Sequence, residues 1–193
     1  MTNSDLTMLA VLVDRSESMA SCHSEVEGGL NRFLKNQSEQ PGLHDVMLAQ
    51  FNTEYEIVVP PTRFTGMALR YVLEPRGESA LLDNMGRFIT EVGEALAKMP
   101  EKDRPAKVIV CIVTAPDGQE DHSVKWSKED IKKLVQHQRD QYHWEFIFLV
   151  AAHVREVGVS AAVGVPIANM DSVAQACHAA LDEALAATSA VLL

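Results

Sequence analysis

Asp14, Ser16 and Ser18 stand at alternate positions directly after an unbroken apolar run, in the string LAVLVDRSESMAS over residues 9–21. A carboxylate and two hydroxyls that converge in a tight loop offer hard oxygen ligands, which suit Mg²⁺, Mn²⁺ or Ca²⁺ better than soft metals. One Asp does not hold such an ion alone, so further oxygens must come from other loops. RGESALLD supplies Ser79 just before a helical pattern, and VTAPDGQED supplies Asp117 just after an apolar strand pattern. The competing reading of the two serines is local, because Ser is a favoured helix N-cap.

The elements that must position these residues alternate in type. LTMLAVLV at residues 6–13 is a continuous apolar run, as expected of a strand covered on both faces. Val26, Leu30, Phe33 and Leu34 fall at helical spacing within residues 24–39, and EQPG stops that helix. HDVMLAQFN and YEIVVPP read as strands joined by only NTE, a link that short making an antiparallel hairpin. The second of them, near residues 54–61, should lie at a sheet edge. Leu81, Leu82, Met85, Phe88, Ile89, Val92 and Leu96 form one helical stripe. RPAKVIVCIVTA is a further buried strand. SKEDIKKLVQHQRDQ at 127–141 opens on Ser127 as N-cap with Asp130 at the third helical position. WEFIFLVAA is a fifth strand, residues 153–160 a short helix, VGVPIAN a last short strand, and 171–189 an Ala-rich helix with a Val173, Cys177, Leu181, Leu185 stripe. The expectation is an α/β fold: a three-layer, doubly wound, Rossmann-like sandwich on a mostly parallel six-stranded sheet with one antiparallel edge strand. Residues 1–193 read as a single domain. In such sheets the working loops lie at the carboxyl ends of the strands, where strand order reverses, and Asp14 belongs there.

Composition narrows the function. With 47% apolar and 23% charged residues the chain reads as an ordinary globular protein. The net charge of −10 and the lack of a basic stripe disfavour nucleic acid. No apolar run is long enough to span a bilayer, and no basic flank precedes the first one, so neither a membrane anchor nor a signal peptide is expected. Cys22, Cys111 and Cys177 are odd in number and widely spaced, which suits reduced thiols in the cytoplasm, with Cys111 in the core. The histidines show no zinc-ligand spacing. Asp83 reads as a carboxylate biasing a helix N-terminus or as a support for the second loop, the first being preferred. Trp126 and Trp144 read as packing residues.

Taken together, DRSESM, GESALLDNMG and VTAPDG, in that order and spacing, resemble the von Willebrand factor type A domain, in its small, stand-alone bacterial or phage-like form. The likeness runs over roughly residues 6–155. DRSESM matches that family's Asp-x-Ser-x-Ser loop, the metal-ion-dependent adhesion site. The second and third strings resemble its Gly-x-Thr-Ala-Leu-x-Asp-Ala and Thr-Asp-Gly loops. The resemblance implies that Ser16 and Ser18 ligate a metal directly, that Ser79 supplies a third hydroxyl in place of Thr, and that Asp14 and Asp117 act through bound water. It implies Mg²⁺ foremost, or Mn²⁺ or Ca²⁺, with an open position for a carboxylate of a protein partner. Catalysis is not expected.

Three departures stand out. Ser79 lacks the methyl that fixes a Thr rotamer. Ala115 follows Thr114 where the family has Asp, and Pro116 restricts the backbone before Asp117, which either swings back over the metal or sits several ångströms away. Glu17 stands between the two serines and Glu78 just before Ser79. With Asp117, Glu120 and Asp121 they make an acidic rim, which either lends the ion a carboxylate or favours a basic partner, unless both glutamates point into solvent. Two other functions compete: a metal-free scaffold that keeps only the fold, and a phosphate-ester hydrolase acting through Asp14, for which an acid–base partner is scarce.

Overall fold

The computed structural model describes residues 2–39, 41–64, 69–115, 122–150 and 159–169. Six strands form one sheet: β1 (Asn3–Asp14), β2 (Leu43–Phe51), β3 (Tyr55–Arg63), β4 (Pro105–Val113), β5 (Glu145–Val150) and β6 (Ile167–Asn169). Their order is β3-β2-β1-β4-β5-β6, with β3 antiparallel to β2 and every other pair parallel. The expected mixed sheet with an antiparallel edge strand is therefore the one observed. The NTE link closes tightly: the Asn52 side chain accepts from the Glu54 N–H at 2.8 Å, an Asx-type turn.

Helices cover both faces. On one face α1 (His23–Ser38) sets Val26, Leu30, Phe33 and Leu34 against Leu9, Val11 and Val13 of β1. On the other, α2 (Leu81–Lys98) buries all seven residues of its apolar stripe against Met8, Ala10 and Leu12 of β1 and their neighbours in β2 and β4. Alternate residues of β1 thus serve opposite layers, and Asp14 ends the strand as its last buried position. Each large apolar side chain in these layers contributes about 1.5–3 kcal/mol on burial, so the platform under the loops is rigid. α3 (Lys128–Tyr142) begins with the expected capping box between Ser127 and Asp130. Cys111 is fully buried, as expected, and Trp144 is 6% exposed among core residues.

One short helix, α4 (Ser160–Val163), follows among the described residues, and most of the helix expected over 153–160 falls outside them. Residues 151–158, the helix expected over 171–189 and Asp117 lie outside the described residues. Among the described residues no helix is long and apolar enough to cross a membrane.

Candidate metal centre

Strand order reverses beside β1, since the chain steps from β1 to β2 on one side and later returns to place β4 on the other. Such a reversal opens a crevice at the strand carboxyl ends. Val13 pairs with Val113 across the parallel β1–β4 ladder, so Asp14 and Thr114 leave the sheet side by side. That register assembles the site.

Asp14 is 2% exposed and bonded from three loops. Its Oδ1 accepts the Ser16 backbone N–H at 2.8 Å. Its Oδ2 accepts the Ser79 hydroxyl at 3.2 Å and the Thr114 hydroxyl at 3.1 Å. Ser16 Oγ and Ser18 Oγ lie 3.0 Å apart. The local helix-capping reading of the serines is thereby corrected: Ser16 occupies the N-cap of the short 3₁₀ turn Glu17–Ser21 but makes no side-chain cap bond. Its hydroxyl faces Ser18 instead. The structure brings Asp14, Ser16, Ser18 and Ser79 together. Thr114, read from sequence only as a motif residue lacking its expected Asp neighbour, joins them as a direct partner of Asp14. The signal for it was the strand register, which places the residue after Val113 beside Asp14.

The first two loops are stitched at the backbone. The Arg76 N–H donates to the Arg15 carbonyl at 2.7 Å, and the Glu17 N–H to the Gly77 carbonyl at 2.8 Å. Asn52 backs the second loop, donating to the Arg76 carbonyl at 2.9 Å and accepting the Ala80 N–H at 3.3 Å. Gly77 turns with φ +71°, and a Cβ there would lie 3.0 Å from the Asn52 amide nitrogen. Arg15, 4% exposed, reaches Glu56 of β3 at 3.1 Å and ties the loop to the sheet edge.

Burial pushes the Asp14 carboxyl above the usual range, and the bonds from Ser16, Thr114 and Ser79 pull it only part of the way back. A buried carboxylate in this state is suited to a nearby cation. The hydroxyls are suited too. Each has one proton and two lone pairs, and Ser79 and Thr114 commit their protons to Asp14, leaving oxygen lone pairs free. Ser16 and Ser79 are buried while Ser18 is half-buried. Among the described residues no group of three His, Cys, Asp or Glu side chains is placed to hold a metal. The donor set here is hydroxyl oxygen around one carboxylate, which fits a hard divalent ion.

Asp83 lies in the first turn of α2, as its preferred reading has it, and does more than bias the helix terminus. Its Oδ1 accepts the N–H groups of Lys125 and Trp126, both at 2.8 Å, and its Oδ2 that of Val124 at 3.0 Å. Its own N–H donates to Ser123 Oγ at 2.9 Å. The indole of Trp126 lies flat on α2 at Gly86, where a Cβ would come within 2.4 Å of the ring. Burial pushes the Asp83 carboxyl up, and the three backbone N–H groups together outweigh it, so the net direction is down. A depressed acid stabilises the fold fully above its ordinary value of about 3.9 and loses that contribution as pH falls through the lower folded value. Asp83→Asn is therefore expected to lower stability by about 1–3 kcal/mol at neutral pH. In urea unfolding across pH, the gap between the two proteins should close in acid; a gap that persists there would contradict the clamp.

Glu17 and Glu78 are both exposed at the rim, which matches the reading in which they point into solvent.

No family model matches the sequence, and no curated protein does. Solved structures match by fold. The ArnB paralog VWA2 from Sulfolobus acidocaldarius superposes with TM-score 0.54 at 14% identity, covering 91% of this chain and 44% of that one. A von Willebrand factor type A protein from Catenulispora acidiphila gives 0.56 at 12%, covering 90% and 41%. Proximal thread matrix protein 1 from the mussel byssus, solved with a zinc-occupied MIDAS motif, gives 0.59 at 14%, covering 90% and 47%. The chain spans less than half the length of these proteins. The fold is that of a von Willebrand factor type A domain.

Proposed function

We propose that the strand-end face of this von Willebrand factor type A fold is a protein-binding surface that depends on a divalent cation, Mg²⁺ foremost, and that residues 1–193 act as one cytoplasmic domain. The observation that carries the reading is the convergence on the buried Asp14 carboxylate of donors from three loops, the Ser16 backbone N–H and the Ser79 and Thr114 hydroxyls. The mussel protein's zinc-occupied motif supports a divalent ion on this fold. Ser16, Ser18 and Ser79 would hold the ion through their hydroxyl oxygens, with Asp14 accepting their neighbouring protons, and Asp117 would act through water. Bound there, a divalent cation supplies a Lewis-acidic coordination position for a partner's carboxylate oxygen. The groups touching Asp14 are hydroxyls and a backbone N–H, neutral donors that do not ionise at neutral pH and so give it no acid–base partner; this supports binding over catalysis.

A metal-free scaffold draws on a different observation: Ser16 and Ser18 already bond each other, and Asp14 is satisfied by protein donors. Affinity capture with the full chain separates the two. Partners retained in Mg²⁺ should be lost in chelator and with Ser79→Ala. The same partners retained under all three conditions would favour the scaffold.

A further inference from the structure

The loop that carries Ser79 has no ladder of its own. Residues 69–80 form neither helix nor strand, so their backbone groups need partners from elsewhere. Two side chains of α1, one helical turn apart, supply them. Asn31 accepts the Tyr71 N–H at 2.7 Å and donates to the Tyr71 carbonyl at 2.8 Å, in the manner of a neighbouring strand. Glu27 accepts the Leu73 N–H at 2.9 Å. The Tyr71 side chain is buried in the core on the α1 side of the sheet. Its hydroxyl donates to Gln50 Oε1 of β2 at 2.9 Å.

From Gln50 the chain of bonds runs on to the first loop. Gln50 Nε2 donates to Glu56 Oε2 of β3 at 2.8 Å, and the same oxygen accepts from Arg15 Nη1 at 3.1 Å. Glu54 is a second, longer partner of Arg15 at 3.8 Å. The Gln50 bond foremost, with Arg15 beside it, holds the Glu56 carboxyl below the usual range, so it accepts both donors at neutral pH. The Arg15 backbone closes the ring, because its carbonyl accepts the Arg76 N–H of the second loop. Tyr71, Gln50, Glu56 and Arg15 therefore link the loop of Ser79 to the loop of Ser16 and Ser18.

Fold stability alone does not account for this ring. The Arg15 guanidinium is buried and its Nε has no hydrogen-bond partner, a costly placement. The Arg15 backbone is already tied by its N–H to the Phe51 carbonyl at 2.7 Å. Glu56 is more than half exposed, so the ion pair itself is of a kind worth little. What the ring fixes is the separation of two loops whose donors meet at Asp14.

We propose that Tyr71, Gln50, Glu56 and Arg15 are positioning residues for the divalent cation, holding the Ser79 loop at the spacing from Ser16 and Ser18 that the ion requires. This rests on the cation-dependent reading above and adds the residues that set the affinity of that site. All four act through the loops and not as ligands. Supporting groups of this kind change metal affinity by about 10–100-fold when they are removed.

The test is Mn²⁺ titration of the full chain, followed by the paramagnetic signal of the free ion, with metal-free urea unfolding beside it. Tyr71→Phe and Glu56→Gln are each expected to weaken Mn²⁺ binding about tenfold. The double variant should weaken it little more than either one, because both break the same chain of bonds. Tyr55→Phe is the control. It removes a comparable phenol bond, to Glu91 at 2.7 Å, which leads to the middle of α2 and to neither loop. It should cost similar stability and leave Mn²⁺ affinity unchanged. Wild-type affinity in both Tyr71→Phe and Glu56→Gln, or an equal loss in Tyr55→Phe, overturns the positioning role while leaving the ion in place. A wild type that binds Mn²⁺ no better than Ser16→Ala removes the ion, and the positioning role with it.

Discussion

Replacing Asp14 with Asn is expected to abolish the protein's response to divalent cations while leaving the metal-free fold at least as stable. The wild-type carboxylate is 2% exposed and carries charge into a buried site, a costly arrangement without an opposite charge. An amide of the same shape removes the charge, keeps an oxygen for the Ser16 N–H, and offers a donor to the Ser79 and Thr114 hydroxyls, which then accept. Without metal the substitution should therefore be neutral or stabilising. With metal the two proteins should separate. Cation present at about a hundred times its dissociation constant adds about 2.7 kcal/mol to a protein that binds it only when folded. For a domain of this size that raises the unfolding midpoint by roughly 5–10 °C. Thermal unfolding with and without Mg²⁺ or Mn²⁺ should show that rise in the wild type and none in Asp14→Asn. An equal rise in both would mean that the ion binds elsewhere.

Gly86→Ala should destabilise the protein, against the usual trend for a helix interior. Gly to Ala inside a helix ordinarily gains about 1 kcal/mol. Here the added methyl would stand within 2.4 Å of two indole carbons of Trp126. Overpacking of this kind costs about 1–3 kcal/mol or more, and the ring must leave α2 to relieve it. Since Trp126 also anchors the loop held by Asp83, the damage should spread to Val124 and Lys125. Denaturant unfolding should show the loss. Tryptophan emission should shift to the red as Trp126 enters water, with the buried Trp144 as an unchanged background. A more stable Gly86→Ala with unshifted emission would show that the indole contact does not hold the loop.

Much of the fold is legible in the chain because burial leaves a periodic trace. The run before Asp14 is apolar at every position since β1 is covered on both faces, and the stripe from Leu81 to Leu96 marks α2 because only one side of a helix meets the sheet. The NTE link forces β3 to turn back, which places it at an edge. The site was legible in part. Ser16, Ser18 and Ser79 sit where their motifs suggest, because each motif falls at the end of an element that the pattern reveals. Thr114 was harder, since its role depends on the β1–β4 register and not on its neighbours in sequence. The wider role of Asp83 was hidden for the same reason: its partners lie more than forty residues away, on a loop with no periodicity to announce its course. The facing hydroxyls of Ser16 and Ser18 follow from the Asx turn made by Asp14, a choice of side-chain bond that a helix-cap pattern does not distinguish.

The central claim is that the strand-end hydroxyls hold a divalent cation. Its most direct measurement is anomalous diffraction from crystals grown with Mn²⁺. One anomalous peak is expected in the crevice beside Asp14, with the hydroxyl oxygens of Ser16, Ser18 and Ser79 at coordination distances of about 2.1 Å, and no such peak for Asp14→Asn. A fully occupied Mn²⁺ elsewhere, with Ser16 and Ser18 still bonded only to each other, would contradict it.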